Sequence, residues 1–139
     1  MTGLDKRDQP EHLGLTVTHR RYVPFSHAHY AGNLVDGAYS LAAFGDVATE
    51  MCIRTDGDEG LFASYSEVQF RAPVRAGDLI EIEARLVRVG SRSREMEFEV
   101  RVVGRGVPER GESAADILEP PIVATTARGV VVVPPMSIG

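Results

Sequence analysis

The sequence predicts an α+β domain in which an antiparallel sheet curls around one long helix. Three observations carry this. One helical stretch runs from Asp36 to Cys52. About four segments that alternate polar and apolar residues follow it. The helical stretch is rich in Ala and Gly, so a neighbouring layer can come close.

The chain has 139 residues, the size of one domain. Its net charge of −5 argues against a nucleic-acid surface. A single cysteine, Cys52, excludes an internal disulfide and suits a reducing compartment. No apolar run approaches the roughly 18 residues of a membrane span. The polar start, MTGLDKRDQPEHL, lacks the apolar region of a signal peptide. A cytoplasmic protein without membrane contact is expected.

Residues 1–13 read as a loose polar arm, and 14–139 as the domain. Gly14 to Tyr22 alternates and carries β-branched residues, so it is a first strand that Pro24 ends. A polar loop with His27, His29 and the pair Gly32-Asn33 leads into the helix. On a wheel of about 100° per residue, Ala38, Leu41, Ala42, Gly45, Ala48 and Cys52 share one side. Asp36, Tyr39, Ala43, Asp46 and Glu50 share the other. The small-residue side is expected to face the sheet. The acidic side has no Lys or Arg until Arg54, so its carboxylates lack the i,i+4 cations of a solvated helix. That points to a site.

Thr55 to Gly60, TDGDEG, reads as a solvated turn. Leu61 to Phe70 alternates as a strand, and Ala72 to Asp78 is a turn. Leu79 to Val89 alternates, with Ile80, Ile82, Ala84 and Leu86 toward the core. Gly90-Ser91 turns the chain into Arg92 to Val103, where Met96, Phe98, Val100 and Val102 point inward. Gly104 to Pro121 reads as a Gly/Pro-punctuated excursion. Ile122 to Val133 is the last strand, and Gly129 within it marks a bulge or a close approach. One face of such a sheet stays uncovered, so oligomerisation is expected.

The segments GNLVDG (32–37) with DVA (46–48), VQFRAPVRAGD (68–78) and RVGSRS (88–93) resemble acyl-CoA proteins of the hotdog fold. HAHYAGNLVDGA, FGDVATE, DGDEGLF and SAADILEPPIV are similar to the 3-aminobutyryl-CoA ammonia-lyases of lysine fermentation, with the β-alanyl-CoA ammonia-lyases as nearest neighbours. The resemblance implies reversible loss of ammonia from a 3-aminoacyl-CoA to give a 2-enoyl-CoA. It implies no cofactor beyond the CoA of the substrate. It also implies a homodimer or trimer of dimers with sites at the subunit interface.

That reaction needs a polarised thioester carbonyl, a base for the Cα proton and anions for the β-ammonium. Unpaired N–H groups near Gly37 and Ala38, at the positive end of the helix, can hold the carbonyl oxygen. Asn33 would position the thioester, and Tyr30 would contact the substrate. Glu50 or Asp46 would be the base, and Asp36 or His29 would orient the amine. Clustered carboxylates raise one another's pKa, which suits proton transfer near neutral pH. Arg71, Arg75 and Arg92, with Arg94 beside them, are candidates for the CoA phosphates.

Blander roles stand beside these. Asp36 can be a helix-start acid, Glu50 a solvated residue and Asn33 a turn former. Cys52 can be core packing. His27 and His29 form an H-x-H pair without the accompanying ligands of a zinc site, so no metal is expected. Two rival functions remain at this stage: a thioesterase on the same fold, with Asp46 or Glu50 activating water, and a non-catalytic acyl-CoA-binding protein.

Overall fold

The computed structural model describes residues 12–135. Most of the expected N-terminal arm, residues 1–11, lies outside them. The elements are β1 (Thr16–Tyr22), α1 (Gly37–Asp56), β2 (Leu61–Phe70), β3 (Leu79–Val89), β4 (Ser93–Gly106) and β5 (Ala115–Val132). The strands form one antiparallel sheet in the order β1-β3-β4-β5-β2, with α1 packed on its inner face. The α+β reading is borne out.

The period-2 pattern explains β3 and β4. Ile80, Ile82, Ala84, Leu86, Met96, Phe98, Val100 and Val102 are all buried. The alternate positions put charges on the outer face. There Arg101 bridges Glu81, Glu83 and Glu99, and Arg128 bridges Glu67, Glu95 and Glu97. Gly129 is a close approach, as one of its two readings expected. A Cβ there would stand 2.5 Å from the Phe62 ring and 2.9 Å from that of Phe98.

Four expectations need correction. The buried face of α1 is not the small-residue side. It carries Ser40, Ala43, Phe44, Val47, Ala48, Met51, Cys52 and Thr55, while Ala38 and Ala42 are exposed. The large side chains, not the alanines, mark the face that the sheet covers. Second, β2 does not run on into β3. It pairs with β5 at the far edge, so the meander is β3-β4-β5.

Third, the excursion from Gly104 to Pro121 is mostly hairpin, because β4 and β5 extend through it. Pro120 and Pro121 fit inside β5 because β2 has ended by then, at the pair Phe70–Thr125. That stretch of β5 is therefore an edge, where a missing N–H costs no ladder bond. Fourth, the TDGDEG segment is not all solvated. Asp56 ends α1 with its side chain fully buried. It takes Arg94 Nη2 and Nε at 2.8 and 3.0 Å. Gly57 then closes the helix in the left-handed conformation, φ 67°.

Candidate active site

The start of α1 is built by local chemistry. Gly32 and Asn33 are consecutive left-handed residues, φ 76° and 60°, conformations that Gly adopts freely and Asn tolerates. They fold the chain so that Leu34 O accepts the N–H groups of both His29 and Tyr30. The loop is then strapped to the 72–78 turn: Val35 N donates to Val74 O, and Ala76 N to Asn33 O. That turn is pinned in its own right. Buried Asp78 accepts the Arg75 N–H and a bidentate Arg105.

Asp36 is the N-cap of α1 and accepts the Tyr39 N–H at 3.0 Å. This leaves the N–H groups of Gly37 and Ala38 with no internal acceptor among the described residues. The second oxygen of Asp36 lies 3.8 Å from His29 Nδ1. Gly37 has no room for a side chain as things stand, because a Cβ there would be 2.7 Å from the Phe70 ring.

A cavity of about 430 Å³ opens at this helix end. Tyr30, Asp36, Gly37 and Arg71, all sequence candidates, line it. Leu34, Val35, Phe70, Pro73 and Val74 give it apolar walls, with Ser40 and Thr125 also in the lining. A larger concavity of about 650 Å³ lies on the outer sheet face. Its Arg and Glu side chains are largely paired with one another, so it offers less to a thioester.

The other candidates are placed as follows. Asn33 is exposed and outside the lining; its visible role is the turn. Ala38 is exposed beside the cavity and His29 adjoins it through Asp36. Arg75 is exposed on the strapped turn, and Arg71 Nε donates to Thr126 Oγ1 at 3.3 Å. Arg92 sits at the other end of the sheet, donating to Val133 O. The length of β2 separates it from the cavity, about 30 Å at the strand rise. Arg94 is 1% exposed and bound to Asp56, so it is not available to a phosphate.

Asp46 and Glu50 lie ten and fourteen residues past Asp36, about 15 and 21 Å along the helix axis. They are not bare acids either. Strand β1 supplies a partner to each: Arg21 reaches Asp46 at 3.2 Å, and His19 Nε2 lies 2.8 Å from Glu50 Oε1. Arg54 donates to the other Glu50 oxygen at 2.8 Å. The hydrogen bond from His19, then that from Arg54, hold the Glu50 carboxyl below its usual range. Mutual elevation among the carboxylates is therefore not what governs Glu50. Burial pushes the Cys52 thiol up to about 12, and its side chain is wholly in the core, as its blander reading had it. His27 Nδ1 is engaged by Tyr39 OH at 2.9 Å. Among the described residues no group of three His, Cys, Asp or Glu is placed to hold a metal ion. Nor is any helix among them long and apolar enough to cross a membrane.

Residues 32–109 match the family model described as the thioesterase superfamily. The chain belongs to the thioesterase superfamily. It is 54% identical to the 3-aminobutyryl-CoA ammonia lyase of Acetoanaerobium sticklandii, over 77% of this chain and 85% of that protein. Its structure is similar to that of β-alanyl-CoA:ammonia lyase from Clostridium propionicum, with a TM-score of 0.82 and 36% identity, covering 87% and 86% of the two chains. A hexameric hotdog fold thioesterase of Campylobacter jejuni shares the fold at a TM-score of 0.68 and 23% identity, covering 82% and 79%. The hotdog fold and the ammonia-lyase resemblance expected from the sequence are both borne out.

Proposed function

We propose that this protein is a 3-aminoacyl-CoA ammonia-lyase, a carbon–nitrogen lyase. It removes ammonia reversibly from 3-aminobutyryl-CoA, or β-alanyl-CoA, to give the 2-enoyl-CoA. The observation that carries this is the 54% identity to a lyase of that name along most of both chains. The cavity at the start of α1 supports it with chemistry.

The thioester oxygen docks on the N–H groups of Gly37 and Ala38, where the helix dipole favours growing negative charge. With the carbonyl so polarised, a carboxylate removes the Cα proton. The electron pair left on Cα forms the new C=C bond as the C–N bond breaks, and the amine departs as neutral ammonia. Asp36, with His29 beside it, holds the substrate's β-ammonium. Arg71 and Arg75, exposed at the cavity mouth and on the adjoining turn, take the CoA phosphates. The steps are proton transfer and elimination at an activated thioester, so the substrate's own CoA is the one carrier they require.

The base is Glu50 or Asp46. Because about 15 to 21 Å of helix separates each from Asp36, the base reaches the cavity from a second copy of the chain. The outer edge of β2 has no strand partner among the described residues, and it exposes Leu61 and Phe70 at its two ends. Antiparallel pairing of two such edges lays the Phe70 end of one subunit on the Leu61 end of the other. That brings Arg92 of one copy toward the cavity of its neighbour, whereas Glu50 and Asp46, on the β1 side of the helix, reach a cavity only through a further contact between copies. A homodimer supplies the first contact, and a trimer of dimers supplies both.

Thioester hydrolysis is the second reading, favoured by the family model itself. There Asp46 or Glu50 would activate water. The two are separated by incubating the protein with crotonyl-CoA and ammonium at mildly alkaline pH while following free thiol. Loss of the enoyl chromophore without thiol release supports the lyase, and acryloyl-CoA then reports chain length. Thiol release without amination refutes the lyase in favour of the hydrolase.

A further inference from the structure

Sequence reasoning passed over two residues in the cavity lining, Ser40 and Thr125. They lie 85 positions apart, and their hydroxyl oxygens meet at 3.0 Å. Both are nearly inaccessible, at 4% and 2% exposure, and line the cavity together with Val35, Val74 and Phe70. Two hydroxyls carry two hydrogens, and the bond between them uses one. The other has no acceptor among the described residues. The helix offers an ordinary outlet that Ser40 does not take. Thr49 and Thr55 on the same helix donate to the carbonyls four residues back, at 3.0 and 3.1 Å, whereas Ser40 turns to Thr125 instead. A buried O–H is thus left over in the lining of the cavity that Gly37 also lines.

We infer that the Ser40–Thr125 pair is a third hydrogen-bond donor of this site, giving its spare O–H to the thioester carbonyl oxygen beside the N–H groups of Gly37 and Ala38. This rests on the docking of the carbonyl proposed above. Two features suit the pair to the task. The apolar walls keep water from competing for the donor. The mutual bond polarises the free O–H, so it donates more strongly than a lone hydroxyl. The oxygen it meets is a weak acceptor in the substrate and a strong one once the Cα proton has gone. The contact therefore strengthens along the reaction, and its loss falls on kcat rather than KM.

The test uses the full-length protein and four variants: Ser40→Ala, Thr125→Val, the two combined, and Thr125→Ser. Amination of crotonyl-CoA is measured as kcat and KM, with thermal unfolding recorded for each variant. Either single replacement leaves one hydroxyl able to donate, so each lowers kcat less than the double. The double lowers kcat about a hundred- to thousandfold at nearly unchanged KM, in line with the loss of one donor to an oxyanion. Thr125→Ser, which keeps the hydroxyl, stays close to wild type. A folded double variant whose kcat remains within about twofold of wild type, or whose loss lies wholly in KM, overturns the inference. So does a Thr125→Ser variant as impaired as Thr125→Val.

Failure of the lyase reading shows separately, in the wild type. If the wild type releases thiol without amination, the same variants are read on hydrolysis, where the carbonyl also gains charge and the same kcat pattern is required. A wild type inert in both reactions overturns reading and inference together.

Discussion

Replacing Asp56 with Asn strands a cation in the core. Arg94 is 1% exposed, and both of its bonds to a negative partner go to Asp56. Its remaining bonds are to the Gly90 and Ser93 carbonyls, at 2.8 and 2.7 Å, which are neutral. Asp56 in turn takes the Thr55 hydroxyl at 2.7 Å. Removing one member of such a pair costs about 3–5 kcal/mol, because the other charge stays buried without compensation. An unfolding entropy of about 2.1 cal/mol/K per residue, taken over 139 residues, converts each kcal/mol to about 3–4 °C. Asp56→Asn is therefore expected to lower Tm by about 10–17 °C. Replacing both members, Asp56→Leu with Arg94→Met, removes the stranded charge and costs much less than the sum of the single losses. Urea or thermal unfolding followed by circular dichroism reads both effects. A fall of less than about 1 kcal/mol for Asp56→Asn, or a fully additive double variant, would refute the argument. CoA affinity of the double variant, measured by calorimetry, should match wild type, since Arg94 has no path to a phosphate.

Gly129→Ala pushes a methyl group into the Phe62 and Phe98 rings and should cost about 1–3 kcal/mol, measured by urea unfolding. Asp36→Asn keeps the N-cap but loses the charge that faces the β-ammonium; stability should stay within about 1 kcal/mol of wild type while KM for 3-aminobutyryl-CoA rises. Carboxyl-carbon NMR titration should find Glu50 below the usual carboxylate range and moving up toward it in His19→Ala. Since the folded value is the lower one, this interaction contributes its full stability above the unfolded carboxylate pKa and loses it as pH falls through the folded value. A Glu50 pKa unmoved by His19→Ala would sink that assignment.

The sheet was legible where the pattern is local. β2 and β3 begin and end where alternation does, at Leu61–Phe70 and Leu79–Val89. The helix was legible in position but not in orientation. Alanine lies on all sides of α1 and says little about burial, whereas Phe44, Val47 and Met51 share one side and mark it. The start of β5 was hidden by Pro120 and Pro121, which disqualify a central strand but not an edge. The site was half legible. The Gly-Asn turn, Asp36 and Gly37 are neighbours in sequence and announce a helix start together. The partners that decide each acid's chemistry come from far away, His19 for Glu50, Arg21 for Asp46 and Arg94 for Asp56. The meeting of Ser40 and Thr125 depends on α1 crossing β5, and neither residue carries a local signal of it.

Cys52 has a chemical consequence. A 2-enoyl thioester is an electrophile, and thiolates add to its β-carbon. The chain has one thiol, Cys52, fully buried on α1 and with its pKa pushed up to about 12. At neutral pH about one such group in 10⁵ is ionised. In the proposed lyase reaction, which makes or consumes an enoyl-CoA, the sole thiol thus stays protonated and out of contact, and the product meets no thiolate on this chain.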